Sequence, residues 1–132
     1  MTFQTRKRGL LDVTATIRAW VVSETHGVGL LTIWCQHTSA SLLVQENASP
    51  EVLLDIDDYF AALAPEDASR YRHGIEGPDD MPAHLRAALT QTQLTIPVAN
   101  GAPMLGTWQG IYLFEHRARP HRRTLALHLL AA

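Results

Sequence analysis

Histidine, carboxylate and hydroxyl side chains gather at a few unusual places along the chain. His37 follows the apolar run VGLLTIWCQ and precedes Thr38-Ser39. His73 lies in a long polar stretch, and His84 comes four residues after Asp80 in DDMPAH. Neutral imidazole ligates zinc and other borderline metals, and three such ligands plus water make an open, catalytic-type site. No HEXXH or CXXC spacing ties these histidines together. Their residue types alone leave a metal site and satisfied or exposed histidines both open.

Glu46, Asp55 and Asp80 are the carboxylates that could serve as general base or bind a cation. Asp80 also has a simpler explanation as a helix N-cap. Glu46-Asn47 closes the stretch QHTSASLLVQEN, whose other end is His37-Thr38-Ser39. A structural strand needs polar groups at neither end. The hydroxyls of Thr38, Ser39 and Ser41 are candidates to bind substrate or orient ligands. In LGTWQG, Gly106 and Gly110 bracket Thr107, Trp108 and Gln109. Glycine permits close backbone approach and exposed amides can hold an anion, with Trp108 either a stacking wall or a core residue. His116, His121 and His128 carry no comparable context.

Charge is divided along the chain. Residues 51–80 carry nine acidic side chains, whereas Arg117, Arg119, Arg122 and Arg123 cluster without an acid among them. A cation-binding half and an anion-binding half are one reading of this; solvated faces are the other.

These residues need elements to position them. The length of 132 residues and the 46% hydrophobic, 18% charged composition describe one globular domain, residues 1–132. A net charge of -2 gives no reason to expect a nucleic-acid or membrane partner. The lone Cys35 allows no intrachain disulfide and reads as a buried thiol. Neither a secretory leader nor an apolar span of membrane length is present, so a cytoplasmic protein is expected.

Thr2 to Arg8 reads as a strand. A helix follows from about Thr14 to Ser23, closed by Gly27 as a candidate for positive φ. Val28–Gln36 reads as a strand buried on both faces, and residues 40–46 as a second strand. Ser49-Pro50 opens a helix whose apolar arc is Val52, Ile56, Tyr59, Phe60 and Leu63, with Asp55 near the core boundary. After the polar connection 65–80, a third helix runs to about Thr90. Met81, Leu85, Ala88 and Leu89 face inward on it and Arg86 faces away. Gln93–Val98, an alternating Trp108–His116 and Arg123–Leu130 complete the strands, with a turn at Asn100-Gly101. The pattern predicts an α+β fold: a mostly antiparallel, β-sandwich-like core with about three helices.

HTSASLLVQEN, YRHGIEGPDDMPAHLRAAL and IPVANGAPMLGTWQGIYLFEHR, in this order, resemble the YjbQ-like family, whose members are also called secondary thiamine-phosphate synthases. The resemblance covers nearly the whole chain. It implies the YjbQ-like α+β fold and a homotrimer. It also implies a divalent-metal site carried onto His37, His73 and His84, with Glu46, Asn47, Asp55 and Asp80 nearby. Zinc is the expected ion and magnesium the alternative. The implied activity is a weak thiamine-phosphate synthesis, in which a pyrimidine diphosphate joins a thiazole phosphate and pyrophosphate leaves. On this reading Glu46 and Asp55 are catalytic. Thr38, Ser39, Asn47, Gly106, Thr107, Trp108, Gln109, Arg119 and Arg123 bind a small, phosphorylated substrate. Relatives commonly carry arginine or leucine after the glycine where this chain has Gly101-Ala102-Pro103-Met104. A phosphate contact there would pass to Arg119, Arg122 or Arg123. The alternative is a non-catalytic, trimeric small-molecule or anion-binding module using LGTWQG and the arginine loop.

Overall fold

A computed structural model describes residues 1–132. The chain runs through β1 (Thr2–Thr5), β2 (Gly9–Asp12), α1 (Thr14–Glu24), β3 (Gly29–Cys35), β4 (Ala40–Glu46), α2 (Pro50–Leu63) and a 3-10 turn (Ala68–Arg70). It continues through α3 (Asp80–Leu89), β5 (Gln93–Ala99), β6 (Ala102–Pro103), β7 (Gln109–Glu115) and β8 (His121–Ala131). Two antiparallel sheets form, in the orders β1-β8-β3-β5-β6 and β2-β7-β4. Side chains from both sheets and from α1 fill one core: Leu31, Ile33, Ile96, Val98 and Leu125 from the larger sheet, Leu42, Ile111 and Leu113 from the smaller, and Val13, Ile17 and Val21 from the helix and its cap. The expected α+β architecture is therefore present.

The expected first strand stops at Thr5, and a second strand that was not expected, Gly9–Asp12, follows it. Gly9 has φ +129°, a conformation that side chains disfavour, and there the chain leaves the larger sheet for the smaller. Gly27 does not take positive φ. Asn100 (φ 51°) and Gly101 (φ 72°) do, and a Cβ at Gly101 would lie 2.8 Å from the Thr25 carbonyl.

Strand β3 is buried on one face only. Leu31, Ile33 and Cys35 point into the core, while Leu30 and Trp34 are 41% and 47% exposed. Its continuous apolar run covers a sheet face on which this chain lays no second layer. Strand β7 shows the opposite. Its alternation predicts contrasting faces, but Gly110 to Glu115 are all buried. Strand β7 is central in its sheet, with Ile111 and Leu113 in the core and Phe114 stacked edge-on against Phe60 of α2, ring centroids 5.7 Å apart.

Both later helices are rotated from the expected orientation. No residue of α2 is fully buried: Tyr59 and Leu63 are exposed, and so is Asp55. On α3 the buried residues are Asp80, Pro82, Ala83 and Arg86, and Leu89 is exposed. The layer beneath α3 is polar, with Ser41 Oγ 2.8 Å from His116 Nε2 and joined to the Thr90 hydroxyl. Arg86 Nη2 donates to the Ala64 carbonyl at 2.8 Å, which fixes the guanidinium inward.

Candidate metal centre

The α3 N-terminus places the centre. Asp79 occupies the cap position, yet neither it nor Asp80 caps the helix with its side chain. The N-cap explanation of Asp80 does not hold. Asp79 instead accepts hydrogen bonds from the Ala118 amide (2.9 Å) and Arg117 Nε (3.0 Å). Asp80 is 1% exposed. Its Oδ1 accepts from Arg117 Nη1 at 2.7 Å, and its Oδ2 lies 2.6 Å from His73 Nε2 and 3.2 Å from His84 Nε2. Helical spacing of four residues sets Asp80 and His84 side by side. His73 arrives from the long connection, just after the Asp67-capped 3-10 turn. Burial works against ionisation of Asp80, but the His73 bond and the Arg117 charge outweigh it and hold the carboxyl below its usual range.

One contact in this cluster is informative. His84 Nδ1 lies 2.9 Å from the Thr38 carbonyl, so this nitrogen carries the proton. In the neutral ring, Nε2 then presents a lone pair to an ionised carboxylate oxygen. Two acceptors face each other, a pairing relieved by a proton or a metal cation between them. Metal-ligating imidazoles usually have their far N–H anchored in this way, on a carbonyl or carboxylate. The donor atoms of His73, Asp80 and His84 all lie within 4.8 Å of one another. Tetrahedral zinc ligands about 2.0–2.2 Å from a common ion stand roughly 3.3–3.6 Å apart, so His84 Nε2 is already near that spacing from Asp80 Oδ2 and His73 Nε2 would draw back by about 1 Å for the two-imidazole, one-carboxylate set to hold such an ion. The side chains of His73 and His84 remain 41% and 32% exposed, leaving an open approach.

His37 stands apart from this set. Its Nε2 accepts the Thr124 amide at 2.7 Å and is occupied by the backbone of β8. It nevertheless lines the same open groove of about 860 Å³ as Trp34, Thr38, Ser39, His84 and Arg123. Arg123 is the one arginine in that lining, and it is not free. It is 4% exposed and binds both oxygens of Glu115, with Nη2 also on the Ser39 hydroxyl and carbonyl. Arg119 is exposed outside the groove lining.

The other expected site residues lie at the opposite end of β4. That strand has seven residues from Ala40 to Glu46, a span of about 20 Å. There the Asn47 amide donates to the Trp108 carbonyl, Tyr112 Oη donates to the Glu46 carbonyl, and one Glu46 carboxylate oxygen is buried without a partner. Gln109 Oε1 accepts from the Gly106 amide at 2.8 Å, which braces LGTWQG on itself. Gly106, Thr107, Trp108 and Gln109 are exposed or partly exposed, Trp108 by 63%. Asp55, exposed on α2, joins neither end.

Sequence reasoning missed the role of Arg117 and the buried pair Glu115–Arg123. It also missed His116, whose imidazole pKa is driven down to about 3 by burial. The Asp80–His84 interval of four was the available signal for the centre. Nothing in the alternation of WQGIYLFEH marks Glu115 and His116 as buried.

The comparisons with known proteins agree with this architecture. The UPF0047 protein YjbQ-like family matches residues 1–132. UPF0047 protein sll1880 of Synechocystis is 51% identical over 125 residues, 95% of this chain and 85% of its own. The crystal structure of the conserved hypothetical protein TT1486 from Thermus thermophilus superposes with a TM-score of 0.86 at 31% identity, covering 98% of this chain and 99% of that one. Hypothetical protein APE1520 from Aeropyrum pernix gives 0.87 at 28% identity, over 100% and 98% of the two chains. On this similarity along its full described length, the chain belongs to the YjbQ-like UPF0047 family.

Proposed function

We propose that the protein is a metal-dependent enzyme acting on a small phosphorylated molecule in the groove beside His84. Thiamine-phosphate synthesis, as the family resemblance implies, is the reaction to test first. The reading rests on one observation: Nε2 of His73 and Nε2 of His84 converge on the single oxygen Asp80 Oδ2, with His84 anchored through Nδ1 on the Thr38 carbonyl. His73, Asp80 and His84 would hold the ion, and two imidazoles with one carboxylate suit zinc better than magnesium, which prefers oxygen ligands.

The ion would supply Lewis-acid stabilisation of charge on a phosphoryl oxygen or a leaving group. The chain's own residues supply orientation. Arg123 is neutralised by Glu115, so no lining arginine competes for the anionic end of a ligand, which is directed toward the metal ligands. Thr38 and Ser39 place hydroxyls along the same wall, and Trp34 offers an apolar face for a heterocycle. A homotrimer belongs to this proposal. Its support is the exposed cross-strand pair Leu30–Leu130 with Trp34 on the uncovered face of the larger sheet.

The test is elemental analysis of the purified protein beside His73→Ala and His84→Ala, with circular dichroism on each. One zinc per chain in the wild type, lost in both folded variants, is the expected result. The metal-loaded protein is then assayed for pyrophosphate release from the pyrimidine diphosphate and thiazole phosphate pair. A wild type that takes up neither zinc nor magnesium overturns the reading.

A further inference from the structure

Asp80 faces the two imidazoles with one oxygen only, and the reason lies outside the three ligands. Arg117 sits between β7 and β8 with its side chain 15% exposed. Its backbone amide donates to the buried Glu115 Oε2 at 3.2 Å, which ties its position to the core. From there one guanidinium makes three different connections. Nε donates to Asp79 Oδ2 at 3.0 Å, Nη1 to Asp80 Oδ1 at 2.7 Å and Nη2 to the Glu76 carbonyl at 2.9 Å.

We propose that Arg117 is the positioning residue of the metal centre: it reserves Asp80 Oδ2 as a single-oxygen ligand and fixes the loop of His73 against α3. This rests on the metal-centre reading above. The Nη1 bond occupies Oδ1 and sets the carboxylate plane, so the second oxygen alone lies between His73 and His84. The Nη2 bond holds Glu76, three residues beyond His73, so the loop-borne imidazole is placed relative to the helix-borne one. A planar, five-donor fork makes these contacts together, whereas a lysine ammonium at one point cannot span them. Removing a hydrogen-bond partner that orients a metal ligand typically changes metal affinity about 10–100-fold.

The experiment measures zinc affinity by chelator competition and the visible absorption of the cobalt(II)-substituted protein. It compares wild type, Arg117→Gln, Arg117→Lys and Arg70→Gln. Both Arg117 variants are expected to bind zinc about 10–100-fold more weakly. They should also show an altered cobalt spectrum, because Asp80 is released to rotate or to ligate with both oxygens. Arg70→Gln removes an exposed cation from the same connection without touching Arg117 and is expected to keep the wild-type affinity and spectrum. If Arg117→Gln does not fold, Arg117→Lys carries the same comparison. Wild-type affinity and spectrum in a folded Arg117 variant overturn the proposal. So does an equal loss in Arg70→Gln, which would mark a general effect of charge or a loosening of the loop. A wild type that binds no metal instead overturns the reading beneath it.

Discussion

Asp80 and Glu115 are both almost fully buried carboxylates, each gripped by an arginine with a histidine at hand, yet they differ in what they leave undone. Glu115 accepts from Thr5 Oγ1 and Arg123 Nε on one oxygen, and from Arg123 Nη2 and the Arg117 amide on the other. Every contact has a donor opposite an acceptor. Asp80 is satisfied on Oδ1, but its Oδ2 meets the imidazole nitrogen of His84 whose proton is on the far side. Residue types are nearly the same in the two clusters. One closes on itself and holds strands together, while the other gathers two imidazole nitrogens on one carboxylate oxygen at an open face. Burial of a charged residue is thus weak evidence of function; several candidate ligand atoms converging on an open face are stronger.

The sharpest way to break this contrast is to remove the carboxylate from the closed cluster. Glu115→Ala leaves Arg123 buried without its counter-charge and should cost ~3–5 kcal/mol in urea unfolding. A loss below ~1 kcal/mol would mean that Arg123 finds water and that the cluster is not closed.

Acid should separate the interior from the groove. Burial drives the His116 imidazole pKa down to about 3, so the folded state keeps it neutral while the unfolded chain takes up a proton near pH ~6.5. Its contribution is complete above ~6.5 and declines as pH falls toward 3, by up to ~1.4 kcal/mol per pH unit. Burial opposes ionisation of Glu115, but Arg123 and Thr5 outweigh it and depress the carboxyl. Its contribution is present above the unfolded value and is lost only as pH falls below ~4. Unfolding midpoints of the metal-free protein at pH 7, 6 and 5 should therefore fall, and His116→Gln should flatten that slope. An unchanged slope would move the titration elsewhere.

In the open cluster, His84→Ala should abolish metal binding while costing only about 1 kcal/mol of metal-free stability, from the lost bond to Thr38. A much larger loss would make His84 a structural histidine. The smallest effect belongs to Asp55. Exposed on α2 and in neither cluster, it should tolerate Asp55→Asn within ~0.5 kcal/mol and without change in metal content or turnover.

Much of the fold was legible because its signals are local. Pro50 at the start of α2, the Asn100-Gly101 turn and the apolar alternation of β8 all reported element type directly. What could not be read was which face each element presents. Arg86 points inward because its guanidinium donates to the Ala64 carbonyl just past α2, a partner 22 residues away in the chain. The centre was half legible for the same reason. DDMPAH carries Asp80 and His84 at helical spacing, but His73 reaches them through a loop, and only tertiary contacts show that Asp80 joins this cluster while His37 stands apart. The assumption that QHTSASLLVQEN frames one site failed on the length of β4, which sets its ends about 20 Å apart.

Strand β3 lies between β5 and β8 in the larger sheet, and this order sets a delay during synthesis. Roughly 85 residues separate the end of β3 from the start of β8. At ~5–20 residues per second, β3 waits about 4–17 s for that neighbour to be made. Through that interval a strand bearing Leu30, Leu31, Ile33 and Trp34 has an unpaired edge, the kind of surface that seeds association between chains. The yield of native protein should therefore depend on how fast the chain is made and at what concentration nascent chains meet.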